Sequence, residues 1–245
     1  PVAVTSVAPP PMSNDVLQLT QNVAASPMIS NFDMGQGRDT IMPQVVAEVL
    51  CLDEGRVRVV QADTDVTPYD SITAGSRSTY HTGNAVRGAA ERMHERLLDL
   101  AAQRAGVNRD DLKLTSAGVV NTTTQQTISI SDLVDTHFGA RGTTLTTEAA
   151  FTTTWEPYDK QTGRSSKVTE HWFAGAVAVQ VLVDRRTGRL RIEHLAGAGD
   201  VGRALNPTLV EQQLSGAAVM GLVQRLVGGR VFAPGQVHSE DRAYP

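Results

Sequence analysis

Three short segments place polar groups where a ligand could be held. Gly35-Gln36-Gly37-Arg38-Asp39-Thr40 sets two glycines and a side-chain amide ahead of a helical pattern. Gly75-Ser76-Arg77-Ser78-Thr79 leads through Tyr80-His81-Thr82 to Gly83-Asn84 and the longest helical pattern in the chain. Asp200-Val201-Gly202-Arg203-Ala204-Leu205-Asn206 precedes a helix that opens on Pro207 and carries Gln213. The first turn of a helix has N–H donors without intrahelical partners and the positive end of the peptide dipoles, so it suits a phosphate or a polar ring. Taken singly, the first two read equally as a helix-entry turn and an N-cap. The small residues Ser215-Gly216-Ala217-Ala218 and Gly221 read as close helix packing or as room for a flat ligand. Together, the three segments suit a long anionic cofactor carrying pyrophosphate and heterocycles.

Other chemistries are poorly served. Gly197-Ala198-Gly199-Asp200-Val201-Gly202 matches G-x-G-x-x-G after a strand. The helix, however, opens five residues later at Pro207, and no acidic residue ends a second strand about 20 residues on, so an ordinary dinucleotide fold is not expected. There is no H-E-x-x-H, G-x-S-x-G or P-loop. His171 and His194 read as surface or strand positions, Cys51 as inert near-core, and Trp155 and Trp172 as packing residues.

The elements that must position these groups follow from periodicity. Residues 16–21 alternate and predict a strand, followed by a loop containing Pro27. Residues 38–52 have helical spacing, with Pro43 placed in the first turn and Gly55 ending the element. Residues 56–61 predict a second strand. Over 83–106, Val86, Ala90, Met93, Leu97 and Ala101 form one stripe, and Gly106 is a natural helix stop. Residues 115–169 hold 15 Thr, which suits β-structure and loops, with a short helix near 131–138. Residues 174–184 and 190–194 predict a hairpin, 197–205 a glycine-rich loop, and Asn206-Pro207 the start of a helix running to Gly228-Gly229. The order is that of an α+β fold, not regular βαβ alternation. The expected division is an N-terminal arm over 1–15 and α+β subdomains over 16–114 and 115–245.

Composition sets the outer bounds. The 245 residues carry a net charge of -4 and no long apolar run, which argues against a nucleic-acid binder and a membrane span. The single cysteine excludes an all-cysteine metal or iron–sulfur site in this chain. The absence of an initial Met and of a signal at either end reads as a piece cut from something longer.

The loops taken together resemble the large, molybdenum-binding subunit of the xanthine dehydrogenase/aldehyde oxidase family, the molybdenum hydroxylases, over residues 16–245. The matching pieces are Met34-Gly35-Gln36-Gly37 with Thr40, the stretch 63–70, Gly75 through Val86, and Asp200 through Pro207 with Gln213 and Gly216. The resemblance implies a mixed-sheet cofactor-binding domain and a molybdopterin cytosine dinucleotide. Gln36 matches a glutamine near the molybdenum and pterin. Gly75, Ser76 and Ser78 match the loop beside metal and pyrophosphate, with Arg77 and Thr79 in the same loop. Gly83 and Asn84 follow in the dinucleotide-binding stretch. Gly202, Arg203 and Asn206 belong to the third loop, and Gln213 matches a glutamine that reads the pterin. The pterin dithiolene holds the metal, so no direct protein ligand is implied.

The resemblance also implies oxidation of an aldehyde or N-heterocycle with water as oxygen source. It places [2Fe–2S] and FAD on partner subunits, in a cytoplasmic dimer of heteromers, with periplasmic export conceivable through a partner. Two family features fall outside this chain: the glutamate base of a G-x-G-E-x-P segment, expected beyond Pro245, and a Gly-Phe-Gly-Gly-type loop. No catalytic residue is therefore assigned here, and a split or truncated subunit is implied. The rival readings are a non-catalytic scaffold piece of such a complex and a nicotinamide-dependent oxidoreductase built on Gly197–Gly202.

Overall fold

The computed structural model describes residues 12–70, 72–138, 144–154, 156–167, 169–226, 231–233 and 236–238. They fall in two compact units, residues 1–170 and 171–245.

In the first unit, β1 (Met12–Thr20) is central to a three-stranded antiparallel sheet, between β2 (Ala25–Met28) and β6 (Thr144–Thr152). Alternation along β1 puts Ser13, Asp15, Leu17 and Leu19 on the buried face. Against that sheet lie α1 (Arg38–Leu50) and α2 (Gly83–Ala105). The expected stripe Val86, Ala90, Met93, Leu97 and Ala101 is fully buried. Arg87 and Glu91 pair across one outer turn at 3.0 Å. Gly106 ends α2 in the left-handed region, its N–H donating to Ala102 O at 2.9 Å. Gly88 is where α2 and the sheet come closest: a Cβ there would stand 3.1 Å from Ala149 Cβ. Beyond α2 come a three-stranded sheet, β3 (Leu112–Thr115), β4 (Gly118–Asn121) and β5 (Thr127–Ile128), and the short α3 (Ile130–Phe138).

The second unit holds a hairpin of β7 (Ala174–Val183) and β8 (Leu190–Asp200), then α4 (Pro207–Leu226), and the strand pair β9 (Val231–Ala233) and β10 (Gln236–His238).

Several expectations are corrected. Residues 12–15, read as arm, are strand, and Ala25–Met28, read as loop, are a strand paired with β1. Pro43 lies in the second turn of α1, and that helix stops at Leu50, with Cys51 left-handed at φ 53°, well before Gly55. In place of a strand over 56–61, Arg56 ends a 3-10 turn and only isolated parallel bridges follow, Ala25 to Val57 and Met28 to Val60. The β1–β6 pairing carries residues 144–152 into the first unit, so the unit boundary follows Glu170, whereas the sequence placed a boundary after residue 114. Trp172, read as a packing residue, is 68% exposed, and Trp155 lies outside the described residues. Helix α4 is described to Leu226, and its expected end at Gly228-Gly229 lies outside the described residues.

Candidate functional site

The first loop is tied down by a residue the sequence reading passed over. Asp33 accepts from Gly35 N through one oxygen and from Asp39 N through the other, both at 2.8 Å. A carboxylate of the chain thus takes donors at the start of α1 that the sequence reading left for a ligand. Burial pushes the Asp33 carboxyl up, but the amides of Asp39, Gly35 and Gly37 and the Arg38 charge outweigh it and hold it below the ordinary carboxylate value. Gly37 precedes the helix at φ 84°, and Gly35 at φ 93° has open space where a Cβ would stand. Thr40 is exposed in the first helical turn.

Gln36 is oriented by main-chain partners. Its Oε1 accepts from Met34 N at 2.5 Å, and its Nε2 donates to Phe32 O at 2.7 Å and reaches Ser78 Oγ at 3.5 Å. An N–H can only donate and a carbonyl can only accept, so these partners fix which end of the amide is oxygen. Ser78 Oγ in turn donates to Asn31 Oδ1 at 3.0 Å. Asn31 is 1% exposed, its main-chain oxygen accepts from the buried Arg38, and its Nδ2 is buried with no hydrogen-bond partner. Asn31 therefore joins the loop of Gln36 to the loop of Ser78. Its sequence signal is a polar side chain closing the run Met28-Ile29-Ser30, and that of Asp33 is an Asx residue two positions before a glycine.

The second loop is not a plain loop. Gly75 and Ser76 are both left-handed, at φ 67° and 57°, a conformation costly for serine. Ser78–Thr82 is a π-helical turn running directly into α2. Gly75, Ser76 and Thr79 are exposed, and Ser78 is half-buried. The other residues of the segment face inward. Gly83 is buried near Met42, Asn84 Nδ2 donates back to Tyr80 O at 2.6 Å, and Arg77 is 3% exposed.

In the second unit, Gly197–Asp200 are strand, not the expected loop. A Cβ on Gly199 would lie 2.6 Å from the Phe173 ring and 3.0 Å from Leu214, so packing accounts for a glycine there. That removes the footing of the nicotinamide reading, which needs this motif to be a phosphate turn. The loop proper starts at Val201, after Asp200, whose Oδ1 accepts from Gly202 N at 2.9 Å, with Gly202 at φ 64°. Arg203 is exposed. Asn206 caps α4 as expected, its Oδ1 accepting from Leu209 N at 3.1 Å. Gln213 is exposed on the second turn of that helix.

The donor set of these loops is backbone N–H, hydroxyl and amide, with the exposed Arg203 guanidinium added in the second unit. Among the described residues no group of three or more His, Cys, Asp or Glu is arranged to hold a metal ion. Open glycine space and the spare buried donor of Asn31 fit a polar heterocyclic cofactor that brings its own metal ligands.

These features define a module whose helix-entry loops are lined by polar groups and glycines. The family model of the molybdopterin cofactor-binding domain matches residues 20–241, and the chain belongs to that family. It is 31% identical to a probable hypoxanthine oxidase of Escherichia coli (strain K12), over 78% of this chain and 18% of the relative. It is 30% identical to the gamma subunit of a 6-hydroxypseudooxynicotine dehydrogenase complex of Paenarthrobacter nicotinovorans, over 81% of this chain and 23% of the relative. The fold is similar to that of quinoline 2-oxidoreductase from Pseudomonas putida 86, with a TM-score of 0.71 at 21% identity, covering 91% of this chain and 28% of that one. The chain thus spans about a fifth of the length of the curated relatives it matches.

Proposed function

We propose that this chain is the part of a molybdenum hydroxylase that cradles a molybdopterin cytosine dinucleotide. Its holoenzyme would oxidise an aldehyde or an N-heterocycle with water as the oxygen source. The carrying observation is the hydrogen-bonded line from Gln36 through Ser78 to Asn31, which fixes two family-matching loops to one another within one unit. Gly35, Gln36, Gly37 and Thr40 form one wall of the cradle, and Gly75, Ser76, Ser78 and Thr79 another. Gly202, Arg203, Asn206 and Gln213 are proposed as cofactor-binding residues of the second unit, on the family resemblance of their loop. Gly83 and Asn84 support the second wall from the start of α2. When bound, the molybdenum supplies Lewis-acid activation and a two-electron redox couple.

This chain's own residues bind and orient. The Gln36 amide presents a fixed polarity, and the exposed Ser76 and Thr79 hydroxyls stand free to meet polar ligand atoms. The proton-transferring base, the [2Fe–2S] centres and the FAD are assigned to the remainder of the molybdenum-binding subunit, an iron–sulfur subunit and a flavin subunit. The assembly is a dimer of such heteromers in the cytoplasm. Support for a heteromeric assembly comes from relatives named as subunits of complexes, such as the gamma subunit of the 6-hydroxypseudooxynicotine dehydrogenase complex.

The test is to purify the complex through a tag on this chain and measure molybdenum together with the nucleotide released by acid. Molybdenum with CMP in equal amounts is expected. A complex holding neither defeats the reading and favours a scaffold piece.

A further inference from the structure

Arg77 stands between two serines assigned to the cradle, yet its guanidinium makes no contact with the loop surface. Its side chain is 2% exposed, and so is that of its ion-pair partner Asp70. Nη1 donates to Asp70 Oδ1 and to Ile72 O at 2.7 Å. Nη2 donates to Ser13 Oγ at 2.9 Å and to Met12 O at 3.3 Å, both on β1. Thr82 Oγ1 donates to Asp70 Oδ2 at 3.5 Å and lies 3.4 Å from Ser13 Oγ. The Arg77 main-chain oxygen accepts from His81 N at 2.7 Å, at the start of the π-helical turn. Arg77 therefore ties the start of β1, Asp70 and Ile72, and the entry of α2 to a single point. On its N-terminal side sits Ser76, held at φ 57°, where an unanchored serine would relax.

We propose that Arg77 is a positioning residue rather than a cofactor contact: its buried grip on Asp70 and β1 holds the turn at 75–78 so that the Ser76 and Ser78 hydroxyls stand at fixed places in the cradle. This rests on the proposed function for its consequence and on geometry alone for the anchor.

Removing Arg77 by itself would strand a buried Asp70 and unfold the site for trivial reasons. The informative variant replaces the pair by apolar side chains of similar size, Arg77→Met with Asp70→Leu, a change that proteins often tolerate. Arg77→Lys is the companion, since it keeps the charge but cannot span the same set of acceptors. Both are made in the intact complex. Three quantities are read: melting temperature, amide exchange by peptide, and molybdenum with acid-released nucleotide.

The double variant should melt close to the parent while amides of 74–80 exchange about tenfold faster and those of 86–101 exchange unchanged. Its molybdenum and nucleotide should fall to about half the parent value or less. The lysine variant should fall between. Unchanged exchange at 74–80 in the double variant overturns the anchor, and so does exchange rising equally throughout α2. Faster local exchange with full cofactor content overturns the positioning role. If the parent complex holds no molybdenum or nucleotide, the proposed function fails, and the exchange comparison still decides whether Arg77 anchors the turn.

Discussion

Asp15 lies on the buried face of β1, fully shielded from solvent, and neither carboxylate oxygen has a hydrogen-bond partner. Burial pushes its pKa up to about 8. At pH 7 the folded chain therefore carries this group largely protonated, whereas the unfolded chain ionises it near pH 4. A group whose acid is strengthened by unfolding contributes no penalty below pH 4. It costs stability progressively as pH rises towards 8, because the unfolded state alone releases the proton. Asp15→Asn removes that titration at nearly constant shape. The variant should match the parent near pH 4 and gain about 5 °C or more in melting temperature at pH 8, as followed by circular dichroism. An equal shift at both pH values would contradict the assigned burial effect.

Asp33 has the opposite sign: its folded-state pKa is depressed, so its contribution is full above pH 4 and fades only as pH falls through the lower folded value. Asp33→Ala should loosen the Gly35–Asp39 turn and reduce cofactor content by about tenfold, measured as molybdenum per complex. Full occupancy in that variant would show that the turn stands without its carboxylate.

At the scale of elements, two close approaches can be tested by size. Gly88 lets α2 lie against β6, where an added Cβ meets Ala149 at 3.1 Å. Gly88→Val should cost about 1–3 kcal/mol of overpacking, read in urea unfolding. A cost no greater than that of a surface substitution would place the contact elsewhere. Asn206→Ala removes the side-chain cap on α4 and should cost about 1 kcal/mol locally, visible as faster exchange over 207–212; unchanged exchange would mean the cap adds nothing.

The helices were legible in the sequence because 3.6-residue spacing is long and repetitive: the stripe of α2, the Asn206-Pro207 start of α4 and the stop at Gly106 all stand where expected. Elements that depend on a distant partner were not legible. Ala25–Met28 contains Pro27 and becomes a strand only through its pairing with β1. Gly197–Asp200 reads as a loop by composition but is strand because it pairs with Ala174–Val177. The π-helical turn at 78–82 has no periodic signature of its own. Within the candidate site, the loops themselves were visible as glycine and hydroxyl residues before helices. The residues that hold them were not: Asn31 acts on Ser78, 47 positions away, and Asp33 and Asp70 act on Asp39 and Arg77 through turn contacts that carry no periodic signal.

For the whole molecule, the two units differ in character. The first has a closed apolar core built on β1, α1, α2 and β6. In the second, every residue of β7 is exposed, with Val177, Val179, Val181 and Val183 among them. No helix among the described residues is long and apolar enough to cross a membrane. The chain spans about a fifth of the length of the curated relatives it matches, and the function proposed for it is that of one cradle-forming part of a larger assembly.

That claim is tested most directly by quantifying molybdenum and acid-released nucleotide in the complex purified through this chain, beside a Gln36→Ala variant. Molybdenum and CMP are expected in a ratio near unity in the parent, with both reduced about tenfold in the variant. A parent complex without either, or a Gln36→Ala variant with unchanged content of both, would contradict it.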